Sequence, residues 1–414
     1  MFRTIGKSPT LLINEQSRLQ EMSGREVFKL GFGQSPFLPP DHAQEALKTS
    51  VNRNDYTPVS GLEELCTAAA EFHTHHYGIS IDPSQILVGS GSKILIYNTF
   101  LAFEQADVLI PAPSWVSYAP QVELIGHKAH MLKTSFEGQW KISPDGLREV
   151  LRECDQESKV LILNYPSNPT GLTYNAQELK ALADVLKQHE VWVICDEIYG
   201  VLDHKGAHRS LAEFYPERTL VTTSISKWCA AGGWRLGIEI LPQTLPDNFR
   251  TALVGIASET YSCAPTPIQV AGCAAYQLIP ETEAYINQQR HILSFIGNYI
   301  QQQLDRAGIR VHPPQGGFYL MVDFLPFAEQ LKSRGIAGDA DLCRCLLEET
   351  GVALLPGSAF GMPAESMAAR LAYVDFNGAA LMQQDGQASN DEMMLICAHM
   401  MRGIDRLCDW TGQL

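Results

Sequence analysis

Thr219-Leu-Val-Thr-Thr-Ser-Ile-Ser-Lys227-Trp-Cys-Ala-Ala-Gly-Gly-Trp-Arg235-Leu-Gly237 is the stretch from which the fold of this 414-residue chain is read. Its opening run of Leu, Val, Thr and Ile predicts a buried strand. The run breaks at Ser224, Ser226 and Lys227 and closes on two glycines and an arginine. A lysine just past a strand end reaches a crevice, and a partly desolvated amine loses its proton more easily. Such an amine is a candidate Schiff-base nucleophile. Arg235 adds a planar fork of donors suited to a phosphate. Carbonyl chemistry beside phosphate binding points to pyridoxal phosphate. On these residues alone an ordinary solvated loop is equally open.

The spacing Ser-x-Ser-Lys-x-x-x-x-x-Gly-Trp-Arg-x-Gly resembles the cofactor-lysine signature of class I/II aminotransferases, the fold-type I pyridoxal phosphate enzymes. Further segments match that family in order. Lys159-Val-Leu-Ile-Leu-Asn-Tyr-Pro-Ser-Asn168-Pro-Thr-Gly171 is a strand ending in an Asn-Pro-Thr-Gly turn. Asn175 and Glu178 form a capping box ahead of a helical stripe at Leu179, Leu182, Ala183 and Leu186. Val191-Trp-Val-Ile-Cys is the next strand and ends in Asp196-Glu-Ile-Tyr199. Strand, helix and strand in this order predict a right-handed parallel unit with its ligand site past the strand ends.

The resemblance assigns roles to these positions. Lys227 holds pyridoxal 5'-phosphate as a Schiff base, Asp196 partners the pyridine nitrogen, and Asn168 and Tyr199 tune the phenolic oxygen. Ser224 and Arg235 take the phosphate. Ile86-Leu-Val-Gly89-Ser-Gly-Ser-Lys93 runs from a strand into a helix at about 93–103, and small residues at a helix start free N–H groups for an anion. Gly91, Ser92 and Lys93 fall where the family has its phosphate turn. Trp115, in Ala112-Pro-Ser-Trp115, is a core residue by composition and by resemblance the ring stacked on the cofactor. Tyr56 is a turn residue or, as the family implies, a phosphate ligand reaching into a partner subunit. Gly33 matches the glycine at the substrate carboxylate, although Gln34-Ser35-Pro36 stands where the family has Glu-Pro-Asp. Arg370, beginning a strand, is a surface ion pair or the family's α-carboxylate arginine.

The rest of the chain agrees with a soluble enzyme. Lys plus Arg is 31 and Asp plus Glu is 46, a net charge of −15, which disfavours nucleic acid or an anionic membrane as partner. Ten scattered cysteines without a Cys-x-x-Cys pair read as reduced cytoplasmic thiols, including Cys343 and Cys345 on one helix. No apolar run approaches the roughly 20 residues that span a bilayer, and no signal-peptide core stands at the N-terminus. His73, His75 and His76 are read as a solvated helix end with no carboxylate nearby, so no metal is assigned. A helix over about 281–306, striped by Ile292, Phe295, Ile296, Tyr299 and Ile300, connects to a smaller domain.

The resemblance therefore implies an α/β fold: a large domain, 40–289, with a mostly parallel seven-stranded sheet, and a small α/β domain from 1–39 and 290–414. Residues 375–392 read as a local insertion. The implied activity moves an amino group between an L-amino acid and a 2-oxo acid, in a homodimer with shared sites. A pyridoxal phosphate-dependent β-lyase and a non-catalytic cofactor-binding protein are the alternatives. The amino donor is left open.

Overall fold

A computed structural model of the chain describes residue 6 and residues 9–382 and 388–414. Seven strands form the main sheet: β1 (Ile86–Gly89), β2 (Ala106–Ala112), β3 (Lys128–Lys133), β4 (Ser158–Asn164), β5 (Trp192–Asp196), β6 (Thr219–Ser224) and β7 (Gly237–Ile240). Their order is β1-β7-β6-β5-β4-β2-β3. β2, β3, β4, β5 and β6 pair in parallel, and β7 runs antiparallel to both β1 and β6. Strands β2, β6 and β7 are buried along their whole length. That matches their near-continuous apolar or Thr-rich sequence, since a sheet covered on both faces needs no alternation.

The sequence places the connections well. Asn175 caps the Ala176–Gln188 helix through a full capping box, with its side chain accepting from Gln177 and Glu178. Leu179, Leu182, Ala183, Val185 and Leu186 are buried on that helix, which links parallel neighbours β4 and β5. The Glu63–Tyr77 helix ends on Gly78 at φ 66°, a left-handed stop that glycine adopts without steric cost.

A second sheet holds β8 (Tyr319–Asp323), β9 (Leu355–Pro356) and β10 (Ala368–Ala372) in the order β8-β10-β9. The N-terminal segment joins it: Phe28 N–H donates to Gly351, and Ala372 N–H donates to Leu30 at 2.7 Å. The 27-residue helix Pro280–Arg306 runs between the two sheets' chain segments and buries Ile292, Ile296 and Ile300, while Phe295 and Tyr299 are half-buried. Among the described residues no helix is long and apolar enough to cross a membrane.

Three expectations need correction. His73 does not lie at a solvated helix end: it is fully buried among Phe72, Tyr77 and Tyr276, because the helix turns that face inward. The triplet also has a carboxylate beside it, since Glu283 Oε1 lies 3.1 Å from His76 Nε2. Arg370 sits in the middle of β10 rather than at its start. Of the 375–392 insertion, residues 383–387 lie outside the described residues. Short helices stand on either side, Gly378–Met382 and Asn390–Ile396, the latter capped by Ser389 and running past the expected end.

Candidate active site

One cavity of about 590 Å³ opens past the carboxyl ends of the parallel strands, against the second sheet. β7 runs the opposite way, so its beginning, next to Arg235, faces the same edge as the ends of β1, β4, β5 and β6. Side chains from five strand ends therefore converge, as expected for an open parallel sheet.

Lys227 follows β6 and is half-buried. Its Nζ donates to Gly33 O at 3.3 Å and lies 5.7 Å from the Tyr199 ring centre and 5.8 Å from that of Phe318. Asp196, at the end of β5, is buried; one carboxylate oxygen accepts from Tyr118 Oη at 2.7 Å and the other from Ile198 N–H at 3.3 Å. Burial raises the carboxyl of Asp196 to about 6, against the opposing hydrogen bond from Tyr118. Asp196 is the only carboxylate lining the cavity among the described residues, facing Lys93, Lys227, Arg235 and Arg370. In a chain of net charge −15 this local excess of cations marks a site for anions.

Arg370 is buried. It donates to Asn168 Oδ1 at 2.9 Å and to Gly31 O at 2.7 Å, while its Nε has no partner. As a guanidinium lining the cavity, Arg370 offers a fixed fork of donors suited to a carboxylate. Asn168 is itself held by its N–H on Asn164 Oδ1 at 2.7 Å. Tyr199 Oη donates to Tyr319 Oη at 3.1 Å, and burial raises the Tyr199 phenol well above its ordinary value.

At the other end, Gly91 has φ 96° and begins the Ser92–Leu101 helix, close to the predicted 93–103. A Cβ at Gly91 would lie 2.2 Å from an Arg235 guanidinium nitrogen, and one at Gly237 would lie 2.4 Å from Ser92 N. The glycines thus let Arg235 and the helix N-terminus crowd one spot. Arg235 donates only to the carbonyls of Gly232 and Ser90, and neither it nor Lys93 forms an ion pair among the described residues. Lys93 Nζ lies over the Trp115 ring at 4.9 Å, and burial followed by the Arg235 charge lowers its amine.

Most of the expected residues meet in this cavity: Gly33, Ser92, Lys93, Trp115, Asn168, Asp196, Tyr199, Lys227, Arg235 and Arg370 line it, with Gly91 behind Arg235. Two do not. Ser224 is fully buried, its hydroxyl donated to Leu236 O and shared with Ser226 at 2.7 Å, so Ser226 lines the wall in its place. Tyr56 is 89% exposed and absent from the cavity wall. Reading by motif missed Tyr118, Tyr319 and Ser226. Ser226 stands inside the quoted signature and Tyr118 three residues past Trp115, whereas nothing local distinguishes Tyr319 from a core strand residue.

The donor set fits pyridoxal phosphate. An anion pocket of helix N–H groups, Ser92, Ser226 and Arg235 lies in the same cavity as a lysine and a buried carboxylate that forms no ion pair among the described residues.

Comparison with known proteins agrees. The family described as aminotransferase class I and II matches residues 25–374. The aspartate aminotransferase of Bacillus subtilis (strain 168) is 33% identical over 365 residues, covering 86% of this chain and 90% of that protein. An asparagine–oxo-acid transaminase of Streptococcus mutans is 32% identical over 368 residues, covering 86% and 90%. Among solved structures, the Thermus thermophilus aspartate aminotransferase with maleate superposes with a TM-score of 0.83 at 25% identity, covering 99% of this chain and 100% of that one. The aromatic aminotransferase from Pyrococcus horikoshii OT3 gives 0.80 at 26%, covering 96% and 99%.

Proposed function

The chain belongs to the class I and II aminotransferase family and is a transaminase, and from that premise we propose that the cavity described above is its active site, loaded with pyridoxal 5'-phosphate on Lys227. The observation that carries this reading is the single buried carboxylate, Asp196, facing four cations across one cavity. When bound, the cofactor supplies an electron sink for the charge left as the substrate's Cα–H bond breaks.

The chain's own residues do the rest. The Lys227 amine would anchor the cofactor and, once released by an incoming amino group, would move the proton from the substrate's Cα to the cofactor carbon that had held the lysine, two atoms away across the nitrogen. Asp196, fixed by Tyr118, holds a proton on the cofactor's ring nitrogen, and its raised affinity for protons is answered by that cationic partner. Asn168 would donate toward the phenolic oxygen, and Tyr199 would do so on turning its hydroxyl from Tyr319. Ser92, Ser226, Lys93 and Arg235, with Gly91 permitting the close turn and Ser224 fixing Ser226, hold the phosphate. Arg370 grips the substrate carboxylate, beside the Gly33 main chain. A Cβ at Gly33 would stand 2.0 Å from Tyr319 Oη, so only glycine keeps the two walls this close.

The cation excess suits a dicarboxylic amino acid, in line with the relatives named aspartate aminotransferases. The main sheet lies wholly within 40–289, and the second sheet with Phe28–Leu30 lies in 1–39 and 290–414; these are our large and small domains. Tyr56, exposed and outside its own chain's cavity, completes the partner's site in a homodimer. Ten cysteines, all free thiols, suit the cytoplasm.

Borohydride reduction followed by peptide mass spectrometry tests the anchor. The wild type should carry reduced cofactor on Lys227, and Lys227→Ala should bind the cofactor yet carry none. Cofactor fixed to another lysine in the variant would overturn the assignment.

A further inference from the structure

Away from the cavity, the last turn of the Glu63–Tyr77 helix meets the first turn of the Pro280–Arg306 helix. His75 Nε2 and His76 Nε2 lie 3.9 and 3.1 Å from the same oxygen, Glu283 Oε1. The ligand atoms all fall within 4.8 Å of one another. Bonds of roughly 2.0–2.2 Å from a zinc-like ion to nitrogen and oxygen set tetrahedral edges at about 3.3–3.6 Å, so small side-chain movements bring the three onto one ion.

The second observation is an unmet need. The His76 side chain is only 7% exposed, and both its Nε2 and Glu283 Oε1 are buried without a well-formed hydrogen bond. Two buried polar atoms this close and unsatisfied are what a shared cation would satisfy. The charge of Arg290 is felt at His76. Arg290 also opposes a purely electrostatic cation, so imidazole-favouring metals are selected over calcium or magnesium. His75, on the exposed side, leaves room for water to complete the coordination.

We propose that His75, His76 and Glu283 form a site for a divalent transition metal of the zinc class, clipping the two helices together outside the catalytic cavity. None of the three lines that cavity. The ion has no part in the transfer reaction; it ties the start of the long helix to the main-sheet layer.

The test uses metal-stripped holoenzyme titrated with Co²⁺ and followed by its visible d–d bands, with Zn²⁺ competition giving the affinity. One ion should bind per chain without the thiolate charge-transfer band that cysteine ligation adds, and Zn²⁺ should raise the melting temperature. Glu283→Gln and His75→Ala, both at positions with solvent access, should each weaken binding at least tenfold and abolish the thermal shift. His189→Ala, an exposed histidine elsewhere, should change neither. Undiminished binding in Glu283→Gln or His75→Ala, a thiolate band, or no binding at micromolar metal would each overturn the site.

Discussion

Arg370 commits two of its nitrogens to Asn168 and Gly31 and lines the cavity beside Lys227 and Asp196. A forked pair with a carboxylate is worth on the order of 1.5–3 kcal/mol. Arg370→Lys keeps the charge and loses the fork, so the KM for the amino acid should rise roughly tenfold or more with cofactor affinity little changed. Half-reaction kinetics with each active amino acid decide it: an unchanged KM for all of them makes Arg370 structural. Asp196 gives a prediction in pH. Burial moves its carboxyl from 3.8 to about 6. Above both values it is ionised folded and unfolded, and the folded chain bears the desolvation cost; below both it is neutral in each and the cost vanishes. The stability of the cofactor-free protein therefore falls as pH rises from about 4 to 6, by about 3 kcal/mol for a shift of about two units. Asp196→Asn removes that cost. Without cofactor it should melt higher than wild type at pH 8, with the gap narrowing at pH 4, while transamination falls at least about a hundredfold. A gap independent of pH would show that Asp196 does not titrate in the folded chain.

The elements are fitted to the site as closely as the residues. β7 enters the sheet with its first glycine pressed on the turn that opens the Ser92–Leu101 helix, and Arg235, just before it, sits at φ 59°. A side chain in that left-handed region costs of order 1 kcal/mol, so the segment between β6 and β7 is held in place by its neighbours. Gly237→Ala puts a methyl 2.4 Å from the backbone of Gly91 and Ser92. Overpacking of this kind costs about 1–3 kcal/mol. The phosphate turn should be pushed out of shape, and the dissociation constant for pyridoxal phosphate should rise at least about tenfold. Absorbance titration measures it, and far-UV circular dichroism should show the sheet retained. Undisturbed affinity would mean that the turn does not hold the phosphate.

At the scale of the whole molecule, Tyr56 separates a self-sufficient chain from a shared-site dimer. If Lys227 and Tyr56 of one site come from different chains, Lys227→Ala and Tyr56→Asp homodimers should each be nearly inactive. In a mixed dimer one site of two is whole. Random reassortment yields about half mixed dimers, so co-refolding should recover roughly a quarter of normal activity under two-fold symmetry. No recovery, with both variants folded and exchanging subunits, removes the shared-site reading.

What the sequence determined by itself was everything encoded within a short window. The Asn175 capping box, the glycine stop after Tyr77, the strand runs and the turns after β4, β5 and β6 are set by backbone preferences of neighbouring residues. They sufficed to align Asn168, Asp196 and Lys227 along one sheet edge. Tertiary structure alone decided contacts between distant segments. Tyr319 comes to Tyr199 and Arg370 to Asn168 from the second sheet, Tyr118 to Asp196 across β4, and Glu283 to His76 from another helix. It also decided that His73 is buried and that Ser226, not Ser224, faces the cavity. These depend on how whole layers pack, and side-chain partners across a layer leave no periodicity in either segment's sequence.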